Sequence, residues 1–190
     1  KDPIVSKSYT KILNELKSKM KSCSKEDCWL QEIKDSKLKK RVNDYLFAPK
    51  KPEEWKTNPH AWLSNYDILD VLHQYEKSYP HFVFIGPTPI DFDTKPYIMS
   101  NECVWQELCT FNLKTYLNKK IDKIGIIFNL DKHNESGSHW VSMFVDIKDK
   151  FIFYMDSALN PIPNEITSLK DKIIKQGIDE NIDFDFETNY

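Results

Sequence analysis

SHWVSMFV at 138–145 and FYMDS at 153–157 decide how this chain is read. His139 opens one apolar run and Asp156 closes the next. Between them, VDIKDKFIF (145–153) reads as a turn joining two strands, predicted at 139–147 and 150–156. If Lys148 and Asp149 form a two-residue turn, Val145 faces Ile152, Met143 faces Tyr154 and Val141 faces Asp156. His139 then lies one diagonal step from Asp156, with Cα atoms about 7–8 Å apart, within reach of an imidazole and a carboxylate. A three-residue loop would turn Asp156 to the opposite face, so the pairing depends on register.

The pair suits acid–base chemistry. A carboxylate beside an imidazole fixes its tautomer and stabilises the imidazolium form. That imidazole can take a proton from a thiol or hydroxyl nucleophile. The plainer alternative is a surface histidine near a strand-end aspartate. His60, His73, His81 and His133 have no local partners at metal-ligand spacing and read as structural or exposed. Ser142 lacks a nucleophile-elbow context. With only four glycines there is no phosphate-cradling loop.

The rest of the chain frames the hairpin. Residues 8–21 read as a helix with Ile12, Leu13, Leu16 and Met20 on one face and Ser8 as cap. SCSKEDC (22–28) breaks that pattern, and a second helix is predicted over 28–46. APKKPEEWKTNP (48–59) has three prolines and no hydrophobic period, so a linker is placed at 47–59. The domain reading is a basic helical arm, 1–50, and a main domain, 51–190. Beyond it, a helix is expected to start at a Ser64 or Asn65 cap and end before Pro80. FVFI (82–85) reads as a strand and GPTPIDFDTKPY (86–97) as a loop. Residues 103–118 read as one helix with Leu108, Phe111 and Thr115 on a face. KIGIIFN (123–129) is a strand. NEITSLKDKIIKQG (164–177) is a helix closed by Gly177, and IDFDF (182–186) is a half-buried or edge strand. Helices flanking several strands define an α+β domain.

Composition sets outer limits. A chain of 190 residues with 13% aromatics can bury a real core. Its 27 basic and 29 acidic residues carry no global nucleic-acid signature. Residues 1–51 hold 14 Lys/Arg against 7 Asp/Glu. That basic arm could make a weak nucleic-acid or membrane contact, although such runs are more often solvated helix faces. No apolar stretch has the length of a membrane span. Cys23, Cys28, Cys103 and Cys109 could make two disulfides, but in a chain with a good core they read rather as reduced thiols of an intracellular protein. Their C-x4-C and C-x5-C spacings are too loose to define a zinc site, so neither metal nor cofactor is expected.

AWLSNYDI (61–68), SGSHWVSMFVD (136–146) and FYMDS occur in the order of three motifs of the ubiquitin-like-protein-specific (SUMO-type) cysteine proteases, which this chain resembles. The likeness is closest to the large-DNA-virus branch, such as the polyprotein protease of African swine fever virus. FIGPTPIDF (84–92) and the helical arm contribute to it. The resemblance implies a papain-like (adenain/SUMO-protease-like) core that cleaves after Gly-Gly in viral structural polyproteins during virion maturation. His139 would be the general base and Asp156 its orienting acid. Trp62 and Trp140 would line a narrow slot for a Gly-Gly tail, although both could instead be core residues. Asn65 would be a substrate contact where the family usually carries an acidic residue. Host cytoplasm and virion are the implied locations.

The family's nucleophile is a cysteine in a Q-x(5)-(D/N/S/T)-C-G stretch that follows a helix and strand after the aspartate. No such stretch occurs up to Tyr190. The expectation is therefore a protease core whose thiol lies beyond Tyr190, in a complementary C-terminal segment or another chain, and which is inactive alone. The alternatives are a deconjugase of ubiquitin or a related modifier, and a non-catalytic module that binds a Gly-Gly tail.

Overall fold

The computed structural model describes residues 3–20, 26–46, 51–96 and 101–190. The chain divides into two compact units, Lys1–Pro49 and Lys50–Tyr190. In the first, α1 (Tyr9–Lys19) begins after Ser8, whose side chain makes no capping bond. The helix expected over 28–46 is broken in two. Helix α2 (Glu26–Trp29) runs into a 3-10 turn at Leu30–Glu32, Ile33 is extended, and α3 (Ser36–Leu46) starts afresh. Asp35 causes the restart. Its Oδ1 accepts the amides of Lys37 and Leu38 at 2.9 and 3.1 Å, satisfying donors that a continuous helix would have paired itself. Most of the SCSKEDC break, with Cys23, and the first part of the 47–59 linker lie outside the described residues.

The rest of that linker is folded rather than extended. Glu53–Lys56 forms a 3-10 turn, and the Trp55 indole donates to the Ala61 carbonyl at 2.8 Å. Helix α4 (Asn65–Ser78) is closed by a capping box in which Ser64 and Asp67 bond each other's amides. Ser64, not Asn65, is the cap.

Five strands form one sheet in the order β1-β2-β3-β4-β5. Strand β1 (Phe82–Pro89) continues four residues into the stretch expected to be loop. It runs parallel to β2 (Lys123–Asn129) with a register shift between Ile85 and Thr88. A bulge tolerates the proline, and Gly86 is required there. Its φ is +117°, and a Cβ would lie 2.8 Å from the Ile127 carbonyl oxygen. The connection expected as one helix is two, α5 (Gln106–Cys109) and α6 (Leu113–Asn118). Gln176 bridges the break, accepting from Leu113 N at 2.7 Å and donating to Phe111 O at 3.0 Å.

Strands β2, β3 (Trp140–Asp146) and β4 (Phe151–Met155) are antiparallel neighbours. Val145 opposes Ile152 and Met143 opposes Tyr154, as the sequence predicts. The turn is four residues, 147–150, rather than two. An even number preserves the face each side chain takes, so the register survives the error. Helix α7 (Asn164–Asp179) crosses over to β5 (Asp185–Thr188), which pairs parallel with β4. Gly177 does not end α7. It lies inside the helix, where a Cβ would stand 2.6 Å from the Phe184 ring, so it is a close-approach glycine.

One face of the sheet carries Ile124, Ile126, Phe128, Met143 and Ile152 into a core with Ile166 and Ile173 of α7. Period-2 burial along β2 and β3 and the apolar stripe of α7 produce this packing. It places the start of β3 and the end of β4 side by side at one rim.

Candidate active site

The β3–β4 ladder ends at Ser142–Met155. Asp156 follows β4, and its carboxylate receives His139 Nε2 at 2.5 Å. Asp156 is 0% exposed, and the His139 side chain is one-third exposed. The carboxylate is fully used. Oδ1 also accepts from Ala158 N at 2.8 Å, and Oδ2 accepts from Asn160 N at 3.2 Å and Asn160 Nδ2 at 3.0 Å. Asn189 clamps the backbone, accepting from Asp156 N at 3.0 Å and donating to Asp156 O at 2.8 Å. Burial alone pushes the carboxyl up. The bonds from His139, Ala158 and Asn160 outweigh it and hold the pKa at about 2. The carboxylate therefore stays charged, and with Nε2 committed to it the imidazole keeps Nδ1 for a reacting group.

The buried Tyr154 hydroxyl next in the strand has no hydrogen-bond partner among the described residues. Burial first, then the charges of Asp156 and Tyr190, push it up to about 12, so it remains a neutral phenol.

Trp140, the residue after His139, donates its indole N–H to Leu63 O at 3.3 Å. This brings the Trp62–Leu63–Ser64 segment against the start of β3. Trp62 is 75% exposed, which removes the core-packing reading for it, whereas Trp140 is half-buried. Asn65 is exposed as the first residue of α4.

His133 is less isolated than its sequence context suggests. Its backbone N and Nδ1 both bond the buried Asp91 carboxylate, at 2.9 and 2.6 Å. Sequence reasoning also missed Asn160 and Asn189, since no local pattern marks an asparagine as a carboxylate partner. Asn160, four residues after Asp156, is the closer to a readable signal. Cys103 and Cys109 are joined as a disulfide with Cα atoms 6.2 Å apart, because the single turn of α5 returns the chain on itself. Cys28 is also disulfide-bonded. This corrects the expectation of reduced thiols, and no free cysteine exists among the described residues. Among those residues no helix is long and apolar enough to cross a membrane.

The five-stranded mixed sheet, with helices packed on it, presents a histidine–aspartate pair at one rim. Residues 104–187 match the model of the Ulp1 protease family, C-terminal catalytic domain. Protein R355 of Acanthamoeba polyphaga mimivirus, whose name describes it as a thiol protease, is 36% identical over 115 residues. That match covers 60% of this chain and 35% of the mimivirus protein, so the chain spans about a third of that relative. The crystal structure of the ASFV pS273R protease superposes with a TM-score of 0.54 at 20% identity, covering 99% of this chain and 72% of that one, and shows the shared fold. The C-terminal Ulp1 protease domain, solved in complex with Smt3, the yeast ortholog of SUMO, aligns at 22% identity with a TM-score of 0.43, over 82% of this chain and 73% of that one.

Proposed function

We propose that this chain is the base-bearing part of a viral thiol endopeptidase that cleaves after Gly-Gly in a structural polyprotein. The observation that carries the reading is the His139–Asp156 pair, 2.5 Å apart with the aspartate fully buried and ionised. In this reading His139 Nδ1 takes the proton of a cysteine thiol, and the thiolate attacks the scissile carbonyl. The C–N bond breaks as His139 returns that proton to the leaving amine. Water then attacks the thioester, giving up a proton to His139, and the thiol is released. Asp156 holds the imidazole and balances its transient charge.

The thiol comes from a residue outside the described set, since every described cysteine is in a disulfide. If that thiol is supplied from outside residues 1–190, these residues are expected to be inactive by themselves. The exposed Trp62 and the Trp140 edge fit a slot that admits backbone without side chains and so selects glycine. Asn65, exposed at the start of α4, is assigned to its wall. The basic arm is assigned no catalytic part.

The test is the full-length gene product with Gly-Gly-X peptides and a capsid-precursor substrate. Cleavage after the second glycine, blocked by iodoacetamide and lowered on the order of a thousandfold or more by His139→Ala, is the expected result. Undiminished activity in His139→Ala sinks the proposal. Cleavage of a ubiquitin-like modifier fusion but not of the precursor would make the enzyme a deconjugase.

A further inference from the structure

The connection between β2 and β3 is a ten-residue excursion, 130–139, that must return with His139 correctly aimed. Its last residues are held by two polar side chains for which catalysis has no direct use. Asn129, the last residue of β2, opposes Trp140 in the ladder. Its Oδ1 accepts from Asp131 N at 2.9 Å and from Ser138 N at 3.2 Å. Asp131 in turn accepts from Gly137 N at 3.0 Å through Oδ2 and from Ser138 Oγ at 2.5 Å through Oδ1. Leu130 N donates to the carbonyl of His139 itself at 2.9 Å.

The two residues before His139 are thus fixed by the side chains of Asn129, which ends β2, and Asp131, two residues further on, and His139 is fixed by its own carbonyl. Gly137, at φ +90°, is the hinge of this return. A Cβ there would lie 2.8 Å from Asn129 Nδ2, so the loop closes tightly over the asparagine. A free ten-residue loop would scatter the imidazole over many orientations, and an error of about 1 Å in a catalytic group costs heavily.

We propose that Asn129 and Asp131 are positioning residues for the catalytic imidazole: they clamp Gly137 and Ser138 so that the His139 ring meets Asp156. The inference rests on the reading of His139 and Asp156 as the acid–base pair, and it adds residues that touch neither substrate nor the reacting atoms. Asp91 secures the middle of the same loop through His133, one step further from the ring.

The experiment is hydrogen–deuterium exchange at the imidazole Cε1–H of each histidine in residues 1–190, followed by mass spectrometry. It requires no catalytic activity. His81, whose ring bonds Lys120 O at the opposite end of the sheet, is the internal standard. Asp156→Asn should change the His139 rate by on the order of twofold or more. Asn129→Ala and Asp131→Ala should change it in the same direction by at least half as much, with His81 unmoved. Ser138→Ala, a substitution at an exposed position that spares folding, should give a smaller change of the same sign. The proposal is overturned if Ser138→Ala and the folded members of the Asn129 and Asp131 variants keep the wild-type rate while Asp156→Asn departs from it. If Asp156→Asn also keeps that rate, the pair is not engaged in solution, and the acid–base reading fails together with the inference.

Discussion

His139 meets Asp156 at 2.5 Å although neither belongs to the β3–β4 ladder, which stops at Ser142–Met155. The two strands bring the residues to one rim, and the polar shell does the rest. Ala158 and Asn160 turn the chain under Asp156, and Asn189 replaces the missing strand neighbour. A carboxylate with all its acceptor sites used cannot rotate, so it offers the imidazole one geometry.

That shell predicts an acid-sensitive fold. The pKa of Asp156 is about 2 in the folded chain against about 3.9 when unfolded, so folding favours its charged form. The contribution, about 2.5 kcal/mol, is complete above about pH 4 and is lost as the pH falls through about 2. Asp156→Asn turns an amide N–H₂ toward groups that already donate and should destabilise the protein at pH 7. The gap in urea midpoint between wild type and Asp156→Asn should narrow steadily from pH 5 to pH 2. A gap independent of pH would mean that the carboxylate is not held as described.

The hairpin was legible because its information is periodic. Alternation along 140–146 and 151–155 specifies the faces, and any even turn gives the same register. The class followed from the order of helices and strands. What was not legible depends on partners distant in sequence. Nothing local to 103–118 announces that Gln176 will cap a break there. Gly177 sits where a helix-ending glycine belongs, and only Phe184 reveals that its role is packing. GPTP reads as loop because the bulge that accommodates Gly86 and Pro87 forms against β2. The meeting of His139 and Asp156 was readable because each flanks one strand of the hairpin. Asn129, Asp131, Asn160 and Asn189 were not, since an asparagine or aspartate in a polar loop carries no period.

Gly177→Ala sets helix propensity against packing. Alanine is better than glycine in a helix interior by roughly 1 kcal/mol. The new methyl would sit 2.6 Å from the Phe184 ring and 2.8 Å from the Ile182 carbonyl oxygen. Backbone cannot yield as a flexible side-chain tip can, so overpacking of about 1–3 kcal/mol should win. Chemical denaturation should show net destabilisation. A stabilised variant would restore the helix-cap reading of Gly177.

Gln176→Leu tests the break between α5 and α6. It removes both partners of the bridge and strands Leu113 N–H and Phe111 C=O beside side chains that are 0% and 2% exposed. A loss of about 2–3 kcal/mol is expected from two unpaired backbone groups, despite the added apolar surface. Amide exchange at Leu113 should accelerate with it. Unchanged stability would show that water replaces the glutamine without penalty.

Trp62→Ala separates binding from folding. At 75% exposure the indole contributes little to the core, so the stability change should stay within about 0.5 kcal/mol. If the ring forms a wall of the substrate slot, its removal should raise KM in the full-length enzyme by about thirtyfold, the equivalent of a 2 kcal/mol interface anchor. The kcat should fall much less. Trp140→Phe keeps an aromatic face but loses the N–H that bonds Leu63, so it should combine a smaller KM effect with a measurable loss of stability. Equal stability losses in the two variants, with KM unmoved in Trp62→Ala, would return both tryptophans to a structural role and leave the glycine slot without its walls.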